Sequence, residues 1–419
     1  LTITASGHNL PSEIVMGKVL DKQMVKSSST KTLRYATISS VVILTIPVIL
    51  MRQGIIHGGP GSEVLLYGLG LLGAAFILSW AAEVSEMDIS RGFAMAILAL
   101  IAVLPEYAVD SVFAWKAAHD HAYAPLALAN MTGANRLLIG LGWPMVLFLF
   151  FIRSRKKSLV LDTEQTTEIF YLACATVYAF IIPFKGSLSL LDAVVLLLIF
   201  SGYLVRTVRS KVEEPELVGP AALIGSCRGG IRRFWVVMMF LYSGLIIYLS
   251  AEPFAESLVT FGRQMKIDEF LLVQWIAPLA SEAPEFLVAA IWAFRGRAQA
   301  AMSALMSSKV NQWTLLVGTL PIVYSISAGK FGSLPLDLRQ DHEIWLTAGQ
   351  SIFAVAILAN LRISWYGAIL LAGLFLAQLI VADIRIEVFA IYLILAAVII
   401  VRERKHLPGL MRSGLKFGK

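Results

Sequence analysis

Long apolar stretches broken by short polar ones run through nearly the whole chain. Twelve of them approach or exceed the ~20 residues needed to cross a bilayer: 34–51, 64–85, 91–117, 123–152, 167–183, 187–206, 232–252, 268–294, 299–327, 344–360, 363–381 and 384–401. The first, fifth and tenth are short. The segments 91–117, 123–152, 268–294 and 299–327 are long enough that they must tilt or break. The pattern predicts an all-α polytopic membrane protein. Composition agrees: 58% of residues are hydrophobic and 15% charged, against roughly 25% charged in soluble domains.

Charge then orients the spans. With the N-terminus inside, 25 of the 35 Lys and Arg residues fall in cytoplasmic segments, as the positive-inside rule expects. The net charge of +7 is therefore read as loop charge rather than nucleic-acid affinity. Residues 1–33 read as a cytoplasmic tail, 34–206 as a first transmembrane repeat, and 207–231 as a cytoplasmic linker. Residues 232–401 read as a second repeat and 402–419 as a C-terminal cytoplasmic tail. A bacterial-type inner or plasma membrane is expected. Cys174 and Cys227 indicate neither a disulfide framework nor a zinc site. The His119-Asp120-His121 cluster reads as a solvated loop in preference to a metal site. Trp80, Trp115, Trp143 and Trp345 lie near span ends and read as interfacial anchors.

The two halves echo one another. Ala102-Val103-Leu104-Pro105-Glu106 is followed by Thr132-Gly133-Ala134-Asn135-Arg136. Ser281-Glu282-Ala283-Pro284-Glu285 is followed by Ser308-Lys309-Val310-Asn311-Gln312. The Pro-Glu helices are third and eighth in the chain, an odd offset, so the two copies run in opposite directions. Inverted repeats place transport sites at their interface, near mid-membrane. The motif helices are expected over 91–152 and 268–327.

Within each copy the residues suit a cation. Glu106 and Asp110 are four apart and Glu282 and Glu285 three apart, so each pair shares a helix face. Carboxylates inside a membrane are costly and need a counter-cation, and hard oxygens suit Ca²⁺, Na⁺ or H⁺. Pro105 and Pro284 remove backbone donors and free carbonyls of the preceding turn. Thr132, Asn135, Ser308, Asn311 and Gln312 add hydroxyl and amide groups at helical spacing. Arg136, deep in its segment, needs a buried partner. Glu106 or Asp110 is the nearest by repeat geometry, and its guanidinium would take the place of one bound cation.

At these residues the sequence resembles the cation/Ca²⁺ exchanger superfamily, which carries G-T-S-x-P-E and G-S-N-x-x-N-like motifs in two inverted repeats. The resemblance covers roughly residues 64–206 and 232–381. It implies a sodium/calcium exchanger-like fold of about twelve helices, two of them additional to the usual ten. Glu106 and Glu285 would be the central metal ligands, and Ser281, Glu282, Thr132 and Ser308 stand at the family's hydroxyl positions. Asp110 has no counterpart, since Ala289 stands opposite. Ala102 and Val103 depart from the Thr-Ser pair. By spacing to Gly142 and Gly318, Arg136 and Gln312 occupy equivalent places.

The function expected is secondary active cation antiport, Ca²⁺ or another small cation against Na⁺ or H⁺, by alternating access. The alternative is a non-transporting sensor or partner-binding protein on the same scaffold. No enzyme chemistry, cofactor or nucleic-acid partner is indicated; the expected partners are small inorganic cations and the lipid bilayer.

Overall fold

In the computed structural model the described residues are 12–88, 103–208, 217, 219–405 and 408–409, with side chains described from Thr32 onward apart from Ala382. Among them the chain is a helical bundle: α1 Ser12–Arg52, α2 Pro60–Ser85, α3 Leu104–Ala117, α4 Ala124–Leu137, α5 Trp143–Ser154, α6 Thr166–Ala179 and α7 Leu190–Val208 in the first half. A short α8, Pro220–Gly225, leads into α9 Gly229–Met265, α10 Glu269–Phe294, α11 Ala298–Asn311, α12 Val317–Ala328, α13 Leu338–Leu358, α14 Trp365–Ile380 and α15 Arg385–Glu403. Every expected span contains a helix. Residues 91–102 of the third span lie outside the described residues. Seven helical stretches among the described residues are long and apolar enough to cross a membrane: Thr32–Arg52, Pro60–Ser85, His121–Ser154, Thr163–Lys185, Leu190–Val208, Gly229–Met265 and Glu269–Phe294.

The bundle is apolar outside as well as inside. On α7, Leu191, Val194 and Leu198 are exposed at helical spacing, the arrangement a lipid-facing surface requires. Two of the expected interfacial anchors are different in kind: Trp143 is fully buried and Trp80 nearly so, while Trp115 is exposed. The reason is local. Trp143 follows directly on an irregular turn that packs inside the protein.

One long segment in each copy has the same internal design. Helix α4 has 14 residues, continues through a five-residue π-helical turn, Leu138–Gly142, and resumes as the 12-residue α5. Helix α11 has 14 residues, passes through a π turn at Gln312–Leu316, and resumes as the 12-residue α12. Each π turn accommodates an extra residue within a helix, a device common at functional sites. Counting from Ala124 and Ala298, this register sets Asn135 opposite Lys309 and Leu138 opposite Gln312. Spacing to Gly142 and Gly318 instead sets Arg136 opposite Gln312.

Among the described residues there are also four short strands: β1 Ser158–Val160, β2 Ser187–Ser189, β3 Ser333–Pro335 and β4 Arg362–Ser364. β1 pairs with β4 and β2 with β3, both antiparallel. Each ladder joins a loop of the first half to a loop of the second. The span count assigns the members of each pair to one membrane face, so the ladders agree with its parity.

Helix packing crosses the halves throughout. α2 lies along α9, α4 against α10, α3 and α7 against α12, and α6 against α13. The α4–α10 approach is close because Gly133 has no side chain: a Cβ there would sit 1.9 Å from the Gln274 carbonyl oxygen. Gly140, in the first π turn, is pressed equally hard against the Phe375 ring on α14.

Candidate cation site

Pro105 is the second residue of α3, so Glu106 lies in its first turn. Pro284 lies inside α10, where the missing N–H leaves the Ala280 carbonyl without its helical donor. These two helices, with α4 and α11, enclose the central polar cluster. Glu106 is 2% exposed, and Glu282, Gln312 and Asp110 are fully buried.

The Gln312 amide joins the two copies. Its Nε2 donates to Glu106 Oε1 at 3.1 Å and to Glu282 Oε1 at 3.2 Å. Around this core, Ser308 Oγ donates to Glu285 Oε2 at 2.5 Å, and the Tyr107 hydroxyl donates to Asn311 Oδ1 at 3.1 Å. Asn130 Nδ2 donates to Asp110 Oδ1 at 2.7 Å. Four buried oxygens have no donor among the described residues: Glu282 Oε2, Gln312 Oε1, Asp110 Oδ2 and Asn130 Oδ1. Buried acceptors are ordinarily satisfied, so a set of orphaned oxygens beside carboxylates has the chemistry of a cation site. No three His, Cys, Asp or Glu side chains among the described residues converge at metal-binding spacing. A cation held here draws on amide and hydroxyl oxygens as well as carboxylates.

Not all the expected residues join this centre. Ser281 Oγ turns back to its own helix and donates to Ala277 O at 3.2 Å. Thr132 donates to Leu128 O at 2.7 Å and faces Gln274. Asn135 belongs to a neighbouring contact: its Oδ1 accepts from Lys309 Nζ at 2.7 Å. The His119–His121 loop is organised by Asp120, whose side chain caps the following turn through Ala122 N at 3.0 Å.

Arg136 has a different partner from the two that spacing suggests. Its Nη2 is 2.5 Å from Glu343 Oε2 on α13, and its Nη1 donates to Gln378 Oε1 on α14 at 2.8 Å. Arg385 Nε lies 2.6 Å from the other Glu343 oxygen, and Gln274 Nε2 donates to Glu343 at 2.9 Å. Arg136 and Glu343 are almost completely buried, and the Arg136 guanidinium also lies 5.2 Å from the Trp275 ring centroid. This is a second polar cluster, one that ties α4, α10, α13, α14 and α15 together. Its trace in the sequence is the row Glu343, Thr347, Gln350 and Ser351, polar residues each three or four positions from another along α13.

The sodium/calcium exchanger protein family model matches residues 63–209 and 235–382. A solved structure described as the H⁺/Ca²⁺ exchanger CAX is 47% identical, with 91% of this chain and 97% of that chain covered and a TM-score of 0.88. Native YfkE is 17% identical over 84% of this chain and 98% of that one, with a TM-score of 0.59. The sodium-calcium exchanger NCX_Mj, soaked with Na⁺ and Ca²⁺, is 16% identical over 77% of this chain and 98% of that one, at 0.51. These last two share the fold. A search of curated proteins returned no match. The matched segments are the two halves that carry the Pro-Glu helices and the π turns, and the chain is a member of the sodium/calcium exchanger protein family.

Proposed function

We propose that the protein is a secondary active antiporter that exchanges Ca²⁺ for H⁺ by alternating access, with Glu106 and Glu285 as the principal carboxylate ligands. One observation carries the reading. Glu106 and Glu282, from opposite copies, meet on one buried amide beside oxygens that lack donors. Two ionised carboxylates that close need a cation or a proton between them. The same groups thus suit either ion but not both at once, which is the requirement for exchange. The likeness to a solved H⁺/Ca²⁺ exchanger at 47% identity supports H⁺ as the counter-ion.

Residue roles follow from position. Glu282 and Gln312 bridge the two copies, and Ser308 and Asn311 offer neutral oxygens. Asp110 with Asn130 forms a flanking subsite, while Thr132 and Asn135 shape the walls. The distribution of Lys and Arg supports cytoplasmic N- and C-terminal ends in a cell membrane. The test is purified protein in liposomes that enclose a pH-sensitive dye. Adding Ca²⁺ outside should move protons out, and an imposed pH gradient should drive uptake of radioactive Ca²⁺. Absence of Ca²⁺ movement under both pH and Na⁺ gradients would remove the proposal.

A further inference from the structure

Lys309 stands beside the carboxylate centre, and its hydrogen bonds go elsewhere, to Asn135. It is fully buried on α11. No carboxylate lies within ion-pair distance of its ammonium among the described residues; the ion pairs of this region belong to Arg136 and Arg385. Instead Nζ is held by Asn135 Oδ1 at 2.7 Å, by the Asn135 backbone oxygen at 3.2 Å, and by the Trp313 ring, 4.5 Å from its centroid. Asn135 is itself fixed in the orientation this needs. Its own Nδ2 donates to Met131 O at 2.8 Å, which turns Oδ1 toward the lysine.

A backbone carbonyl, an amide oxygen and an aromatic face are neutral groups that hold one positive charge. They are the ligands of a monovalent cation; a divalent ion would demand carboxylates. Asn135 and Lys309 come from the two copies, each twelfth in its helix. The ammonium therefore bridges the two copies.

We infer that Lys309 is a tethered cation that fills a built-in monovalent site, so that the exchanger cycles without Na⁺. The inference deepens the antiport reading above and rests on it for its functional consequence. The cage itself is a matter of binding, and can be tested apart from transport.

The experiment compares wild type with Lys309→Ala, which opens the cage, and Lys309→Met, which fills it without charge. Thermal stability is measured in detergent with NaCl or choline chloride at equal ionic strength. Uptake of radioactive Ca²⁺ is measured in liposomes under a pH gradient in the same two salts. Wild type should be indifferent to Na⁺ in both assays. Lys309→Ala should gain stability progressively with Na⁺, as mass action requires of a ligand bound only by the folded state, and its uptake should be lost in choline and return in Na⁺. Lys309→Met should lose uptake in both salts. A Lys309→Ala protein with wild-type stability and uptake, unmoved by Na⁺, overturns the inference. So does one that stays misfolded in saturating Na⁺, because the lysine would then serve packing alone. Wild-type uptake driven by a Na⁺ gradient also overturns it. Failure of wild type to move Ca²⁺ at all would instead strike the antiport reading, while Na⁺-dependent stabilisation of Lys309→Ala would still be read without transport.

Discussion

Replacing Glu343 with Gln is the sharpest test of the second polar cluster. In the native arrangement one carboxylate serves two guanidiniums, at 2.5 Å from Arg136 and 2.6 Å from Arg385, and accepts from Gln274 at 2.9 Å. The cluster carries two positive charges and one negative, a net +1. Glu343→Gln leaves both guanidiniums without a counter-charge, and Arg136 is 1% exposed, so it cannot turn to water. Removing one partner of a buried ion pair costs about 3–5 kcal/mol, whereas exposed pairs are worth about 0–1 kcal/mol. The burial places this case in the first class. Arg136→Met makes an informative comparison. It leaves Glu343 paired with Arg385 and a neutral cluster, so it should cost less, about 1–3 kcal/mol for the partners left unsatisfied. The assay is unfolding in mixed micelles titrated with SDS, followed by Trp fluorescence, to which Trp275 beside Arg136 contributes. Glu343→Gln within about 1 kcal/mol of wild type, or less harmful than Arg136→Met, would refute the reasoning. Because Arg136 lies outside the carboxylate centre, Arg136→Met that folds should retain Ca²⁺ uptake and its coupling ratio.

Further expectations can be checked with standard variants. Glu106→Gln and Glu285→Gln should each nearly abolish Ca²⁺ uptake at normal expression, and near-normal flux in both would remove them from the ion site. Gly133→Ala should destabilise the protein by about 1–3 kcal/mol or more, since α4 must withdraw from α10. Gly373→Ala on α14, where a Cβ meets nothing within 4 Å, should be neutral or slightly stabilising in the same unfolding assay. At the end of α2, bidentate Arg232 with Arg233 holds the Asp88 carboxyl down at about 2. A depressed folded-state value stabilises above the ordinary ~3.9 and fades below it. The difference in thermal midpoint between wild type and Asp88→Asn should thus persist at neutral pH and vanish as pH falls toward 2; a pH-independent difference would contradict it. Single cysteines in loops 117–122 and 153–166, in a background lacking Cys174 and Cys227, should label from opposite membrane faces.

The spans are legible in the sequence because a bilayer leaves helices few alternatives: every backbone group must be satisfied internally over about 20 residues. The Pro-Glu pairs are legible because charge in such a setting is rarely incidental. Contacts between helices are not. Glu343 lies 207 positions from Arg136 at the edge of an apolar run, where a carboxylate reads as loop, and Arg385 is placed in the same way. No periodicity within one helix reveals which neighbour it faces. The π turns are equally hidden, since five residues of altered hydrogen bonding leave no compositional mark. Tyr107 carries no signal of its own, because its value depends on a partner in another helix, Asn311.

The two strand ladders have a consequence for how the chain assembles. Ser158 pairs with Ser364 and Ser187 with Pro335, so each half arrives with two strands whose partners are made later. Neither half can satisfy those backbone groups alone. Together with the α2–α9, α4–α10 and α6–α13 seams, the ladders make the halves resemble two subunits that happen to share a chain. The covalent connection then supplies mainly effective concentration. A protein severed within residues 209–216 and co-expressed as two fragments should reassemble, and each fragment made alone should be prone to pair its exposed strands with the wrong partner.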